Sequence, residues 1–262
     1  MKKLYIGTNL KMYKTIAQTT DYLQELGSLT ADIGKDQICL FVIPSFTALQ
    51  SAVAAASQTQ ILLGAQNMHW EQQGQFTGEV SPLMLKELGI DVIEIGHSER
   101  RHVFGETDEH CNKKVLSALT HGFTPLLCVG ETATQKDNGI SNEVLRIQIK
   151  TGLLGIDLMQ AKKLWIAYEP VWSIGVSGVP APPDYAEEKH QVIKAVLREL
   201  YADTADDIPV LYGGSVNPKN ASALIAQPSV DGLFIGRSAW QADKFNDLIR
   251  QTLPVWRQKR DK

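Results

Sequence analysis

Glu169 closes an apolar run, Ile166-Ala-Tyr-Glu169, and Pro170-Val-Trp172-Ser-Ile-Gly175 follows at once. A carboxylate at the end of such a run is costly unless it has a partner or a task. A proline start and a glycine exit suit a hinged loop that covers a site. Glu169 is therefore either a base beneath a mobile cover or a strand-end acid paired with Lys or Arg. Other residues add chemistry. Asn9 and Lys11 follow the run Leu4–Thr8, and His97 lies in Gly96-His97-Ser-Glu99-Arg100-Arg101. A neutral imidazole near a helix start can move a proton between two oxygens. A fixed ammonium can offset a phosphate and the charge that builds on an oxygen. Glu99 could pair with Lys11 or with an arginine. Cys128 reads as a core thiol near the site, since no base accompanies it. Gly213-Gly214-Ser215 and Gly236-Arg237-Ser238 are glycine turns in which backbone amides can approach an anion. Asn9, Lys11, His97 and Glu169 together describe proton abstraction beside a carbonyl, through an enediolate, with no metal or cofactor required.

Something must bring these residues together. Eight short apolar runs recur: Leu4–Thr8, Ile38–Ile43, Gln60–Ala65, Asp91–Ile95, Thr124–Val129, Leu164–Tyr168, Pro209–Tyr212 and Gly232–Ile235. Amphipathic stretches separate most of them, among them Ile16–Ser28, Pro82–Leu88, Asp108–His121, Tyr185–Tyr201 and Ala221–Gln227. Strand alternating with helix predicts right-handed βαβ units and a parallel sheet. Eight units close into a (β/α)8 barrel, with the polar residues at the C-terminal strand ends on one rim. An open doubly wound sheet is the rival, weakened because no Gly-x-Gly-x-x-Gly follows the first run.

The chain has 262 residues, 44% hydrophobic and 21% charged, which suits a single globular barrel domain over residues 1–262. A net charge of -3 gives no reason to expect nucleic acid. The basic run Arg257–Lys262 reads as a solvated tail. Three cysteines in no Cys-x-x-Cys arrangement favour a reducing compartment and no zinc site. No apolar run is long enough to span a membrane, and the first residues lack a signal-peptide core. A cytoplasmic protein is expected.

Asn9-Leu-Lys11-Met, Gly64-Ala-Gln-Asn67, Phe76-Thr-Gly-Glu79, Gly96-His-Ser-Glu-Arg-Arg101, Cys128-Val-Gly-Glu131, Ala167-Tyr-Glu-Pro-Val-Trp172 and Tyr212-Gly-Gly-Ser-Val216 resemble the triosephosphate isomerase family nearly end to end. The resemblance implies a TIM barrel and a phosphorylated-sugar substrate. It implies Glu169 as base, His97 as electrophile, and Asn9 and Lys11 as substrate-binding. Gly175, Ser215 and Gly236 match phosphate-binding positions. Phe76 and Thr77 match a loop that enters a neighbouring subunit, which implies a homodimer. There are also departures. The segment Val176–Asp184 replaces the usual short lid tip, Gly236-Arg237-Ser238-Ala-Trp240 replaces Gly-Gly-Ala-Ser, and Leu10 and Tyr13 replace Trp and Asn. These look like the paralogous branch that interconverts L-erythrulose 1-phosphate and D-erythrulose 4-phosphate. The alternative is triosephosphate isomerase proper with a drifted lid and with Arg237 paired to a surface acid. A non-catalytic binding protein would have lost Lys11, His97 or Glu169.

Overall fold

Strands buried on both faces read as continuous apolar runs, and all eight such runs form strands in the computed structural model, which describes residues 3–175 and 178–260. The strands are β1 (Leu4–Asn9), β2 (Ile38–Ile43), β3 (Leu62–Ala65), β4 (Val92–Ile95), β5 (Thr124–Val129), β6 (Trp165–Tyr168), β7 (Val210–Tyr212) and β8 (Gly232–Ile235). Each pairs in parallel with the next, and β8 returns to β1, so the sheet is a closed barrel. At that seam Tyr5 lies opposite Gly232. A Cβ at Gly232 would stand 2.1 Å from the Tyr5 carbonyl oxygen, so closure there requires glycine.

Helices follow the strands: α1 (Ile16–Leu29), α2 (Leu49–Ala56), α3 (Pro82–Leu88), α4 (Ser98–His102), α5 (Asp108–Thr120), α6 (Ala133–Asp137), α7 (Ser141–Gly152), α8 (Leu158–Ala161), α9 (Pro183–Tyr201), α10 (Ala221–Ile225) and α11 (Ala242–Arg260). Their starts are written locally. Thr15, Thr107, Thr132 and Asp157 each cap a helix with the side chain, and each donates its backbone N–H back to the side chain three residues on.

Alternation along each strand splits the core in two. Leu126 and Cys128 of β5 join Phe41, Val92, Trp165, Leu211 and Phe234 in the cluster that fills the barrel. Leu127 and Val129 join the larger cluster between strands and helices. The filled barrel leaves the C-terminal rim as a rigid platform for loops.

One expectation is corrected. Arg257–Arg260 is helical rather than a loose tail, because α11 continues to Arg260, although Arg257, Gln258 and Arg260 remain exposed. Buried Trp256 anchors that turn. Lys259 Nζ donates to the carbonyls of Gln227 at 2.7 Å and Val230 at 2.6 Å, and Arg257 to the side chain of Gln37. Val176 and Ser177 of the predicted lid, and Asp261 and Lys262, lie outside the described residues. Among the described residues no helix is long and apolar enough to cross a membrane.

Candidate active site

A cleft of about 250 Å³ opens at the C-terminal rim. Asn9, Lys11, His97 and Glu169 line it, with Ser173, Ile174, Gly175 and Gly178 of the loop after β6 and with Gly213, Gly214, Ser215, Gly236, Arg237, Ser238 and Trp240. The structure thus brings together the candidate site residues that sequence assigned to chemistry and phosphate. Cys128 and Glu99 sit just outside this lining, and Phe76 and Thr77 belong to a separate exposed loop.

Lys11 adopts a left-handed backbone, φ 51°. Such a conformation is uncommon for a non-glycine residue and persists only where its surroundings enforce it. Here Asn9 Oδ1 accepts the Lys11 N–H at 2.6 Å, and Gln66 Nε2 donates to the Lys11 carbonyl at 2.7 Å and to Asn9 Oδ1 at 3.0 Å. Its ammonium reaches Glu99 Oε1 at 2.6 Å, which decides between the two partners expected for Glu99.

His97 ends the turn after β4, where Gly96 has φ 73°. A Cβ there would press on the Arg101 guanidinium and the Cys111 sulfur, both at 2.8 Å. His97 caps α4 with its own ring: Nδ1 accepts the Glu99 N–H at 3.1 Å. A ring nitrogen that accepts cannot carry the proton, so the neutral ring holds it on Nε2. Nε2 stands 3.7 Å from Glu169 Oε1.

Glu169 is buried, 3% exposed. Its Oε2 accepts the Ser98 N–H at 3.1 Å. Two glycines make room for it. A Cβ at Gly130 would fall 1.9 Å from the Glu169 carbonyl oxygen, and one at Gly213 would fall 2.9 Å from Glu169 Cγ. Cys128 is a buried core thiol, as expected; burial, then the Glu169 and Glu94 carboxylates, hold it well above the usual thiol range.

At the other end of the cleft the two glycine turns differ. The Gly213 amide donates to the Tyr168 carbonyl at 2.7 Å and the Ser215 amide to Ser173 Oγ at 2.9 Å. An anion could take up the Ser215 amide only by displacing Ser173. No described residue would come within 4 Å of a Cβ on Gly236, so among the described residues that turn is open. Arg237 is exposed at the cleft edge and has no ion-pair partner among the described residues, so it is not paired with a surface acid. Trp240 donates through Nε1 to the Asn9 carbonyl at 2.9 Å and packs its ring, tilted by 36°, against Tyr13 with centroids 4.3 Å apart. Two of the departures in sequence are therefore one contact.

Glu131 is a site residue that sequence placed on the rim without a role. It is fully buried and accepts from Tyr168 OH, Trp172 Nε1 and Tyr185 OH. Trp172 and Tyr185 flank the loop after β6, so one carboxylate ties both its ends. The signal was present in Cys128-Val-Gly-Glu131, a carboxylate following a buried strand.

A triosephosphate isomerase family profile matches residues 4–252. The chain belongs to the triosephosphate isomerase family. Among curated proteins it is similar to L-erythrulose-1-phosphate isomerases. It is 46% identical to the one from Rhizobium etli, over 94% of this chain and 91% of that protein. It is 47% identical to the one from Mesorhizobium japonicum, over 94% and 95%, and 45% identical to the one from Brucella abortus, over 95% and 96%. As a member of the triosephosphate isomerase family the chain is a sugar-phosphate isomerase.

Proposed function

We propose that this isomerase interconverts L-erythrulose 1-phosphate and D-erythrulose 4-phosphate. The observation that carries the chemistry is the facing pair, Glu169 Oε1 and the proton-bearing Nε2 of His97, 3.7 Å apart beside Lys11 in one cleft. Glu169 removes the proton from the carbon beside the carbonyl. His97 donates from Nε2 to the oxygen that gains charge, then moves a proton between the two oxygens of the enediolate, and Glu169 returns its proton to the carbon that had carried the carbonyl. Lys11 and the second Asn9 N–H offset the charge as it forms. Glu169 must first leave the Ser98 amide, which closure of the loop after β6 over bound substrate would favour.

The phosphate sits at the Gly175, Ser215 and Gly236 end, with Arg237 as an added cation. The names of the relatives, whose matches span most of both chains, support a four-carbon substrate. So does Arg237, a free guanidinium where the wider family has glycine. The protein works as a single barrel domain in the cytoplasm, as a homodimer through the Gln66–Glu79 loop. Residues 71–79 of that loop are exposed, and exposed Met12, Val103 and Phe104 add apolar surface of the kind that marks contacts. Kinetics with both tetrulose and triose phosphates test the substrate.

A further inference from the structure

One carboxyl inside the barrel has no task in the mechanism above. Glu94 lies on β4, two residues after Val92 and three before His97, with no exposed surface. Its Oε2 accepts the Asn9 Nδ2 N–H at 2.7 Å, while Oε1 has no partner. A buried polar atom without a partner is rare and calls for a reason. Glu94 does not line the cleft; it is the layer beneath. A Glu94 oxygen, a Glu169 oxygen and the Cys128 sulfur lie within 4.8 Å of one another.

The groups facing Glu94 come from four strands. They are Asn9 at the end of β1 and Lys11 just beyond it, His97 after Glu94's own strand, Cys128 on β5 and Glu169 after β6. Burial pushes the Glu94 carboxyl up to about 7; the Glu169 charge adds to this, and His97, Asn9 and Lys11 oppose it. The same surroundings keep the Cys128 thiol protonated, which makes the trio a poor set of metal donors, since ligands bind deprotonated. Two carboxylates sharing a dry site do not readily both ionise.

We propose that Glu94 is a positioning residue that works as a neutral acid, anchoring the Asn9 amide and keeping the layer beneath Glu169 uncharged. The proposal rests on the reading of Glu169 as the base. Asn9 Oδ1 is already taken by Lys11 and Gln66, and one Nδ2 N–H by Glu94. The amide cannot flip, and its other N–H is reserved for a substrate oxygen. An ionised Glu94 would set a second negative charge against an enediolate and a phosphate.

The test combines pH–rate profiles for the wild type, Glu94→Gln and Glu94→Leu with a carboxyl-carbon NMR titration of the free, glutamate-labelled protein. A single group ionising near 7 makes wild-type kcat/KM fall about 10-fold from pH 6 to pH 8, relative to Glu94→Gln. The substrate phosphate titrates equally in both and cancels in that ratio. NMR should show a carboxyl titrating near 7 that is missing from Glu94→Gln. Glu94→Leu, which cannot hold Asn9, should lower kcat by about 10²-fold at pH 6, where wild-type Glu94 is neutral, with a smaller change in KM. If it fails to fold, the Gln profile and the NMR titration still decide. Parallel profiles for wild type and Glu94→Gln, or no carboxyl titrating above the ordinary range, would overturn the proposal, as would Glu94→Leu with wild-type kcat. An active Glu169→Gln enzyme would remove the base assignment yet leave the NMR titration standing, so the two failures are distinct.

Discussion

The two oxygens of the Glu169 carboxylate meet consecutive residues of one turn: Oε2 accepts the Ser98 amide at 3.1 Å, and Oε1 stands 3.7 Å from Nε2 of His97. The strand end that carries His97 therefore also sets the resting place of Glu169. The Glu169 carboxylate and the His97 imidazole are placed by the same few atoms.

Glu169→Gln keeps the shape and the acceptor for Ser98 but loses the base. Turnover should fall by about 10²–10⁴-fold, while inorganic phosphate inhibits as well as before. Steady-state kinetics and circular dichroism check this. Turnover within a few-fold of wild type would take Glu169 out of the mechanism.

Lys11→Met removes the ammonium and leaves Glu99 without its 2.6 Å partner. Both kcat and KM should worsen, because the charge serves the phosphate and the developing oxyanion alike. Competitive inhibition by sulfate should weaken in parallel. Unaltered sulfate inhibition would place the anion elsewhere.

His190 gives a pH signature unconnected with catalysis. It is fully buried between Tyr168 and Tyr212, with Nδ1 3.2 Å from the Ser229 carbonyl. Burial pushes it down to about 3. Its folded value lies below its unfolded one, so its contribution is full above about 6.5 and is lost as pH falls towards 3. Between pH 6.5 and 5 this one group should cost about 2 kcal/mol of stability. Urea denaturation at several pH values reads the slope, and His190→Phe should flatten it. An unchanged slope in that variant would show that other groups set the acid limit.

The exposed loop with Phe76 and Thr77 should mediate self-association. Sedimentation at assay concentration should give a dimer, and Thr77→Asp should shift it towards monomer with loss of activity. A fully active wild-type monomer would contradict the dimer reading.

Much of this was legible in sequence for physical reasons. Strands buried on both faces are apolar runs, so β1 to β8 were visible, with shifts of two residues or fewer such as Gln60–Ala65 against Leu62–Ala65. The rim residues stood out because polar groups ended those runs. What stayed hidden depended on contacts distant in sequence. The last turn of α11 looked like a charged tail until Lys259 met carbonyls around Gln227. Glu131 looked like one more rim acid until Trp172 and Tyr185 closed on it. Glu94 lies within the short run Asp91–Ile95 and carried no reading in sequence; its place beside Val92 in the alternation was the available clue, and only the closed barrel sets it beneath Asn9.

The choice between four-carbon and three-carbon substrates turns on the phosphate end. Arg237→Gly should narrow the preference for tetrulose phosphate, mainly through KM, because it removes a cation that no residue of the described chain neutralises. An unchanged preference would assign selectivity to the loop after β6.

The most direct measurement is kcat/KM for L-erythrulose 1-phosphate and for dihydroxyacetone phosphate, side by side on the same preparation. The account predicts the higher value for L-erythrulose 1-phosphate, with D-erythrulose 4-phosphate as product. Efficient turnover of dihydroxyacetone phosphate with L-erythrulose 1-phosphate inert would contradict it.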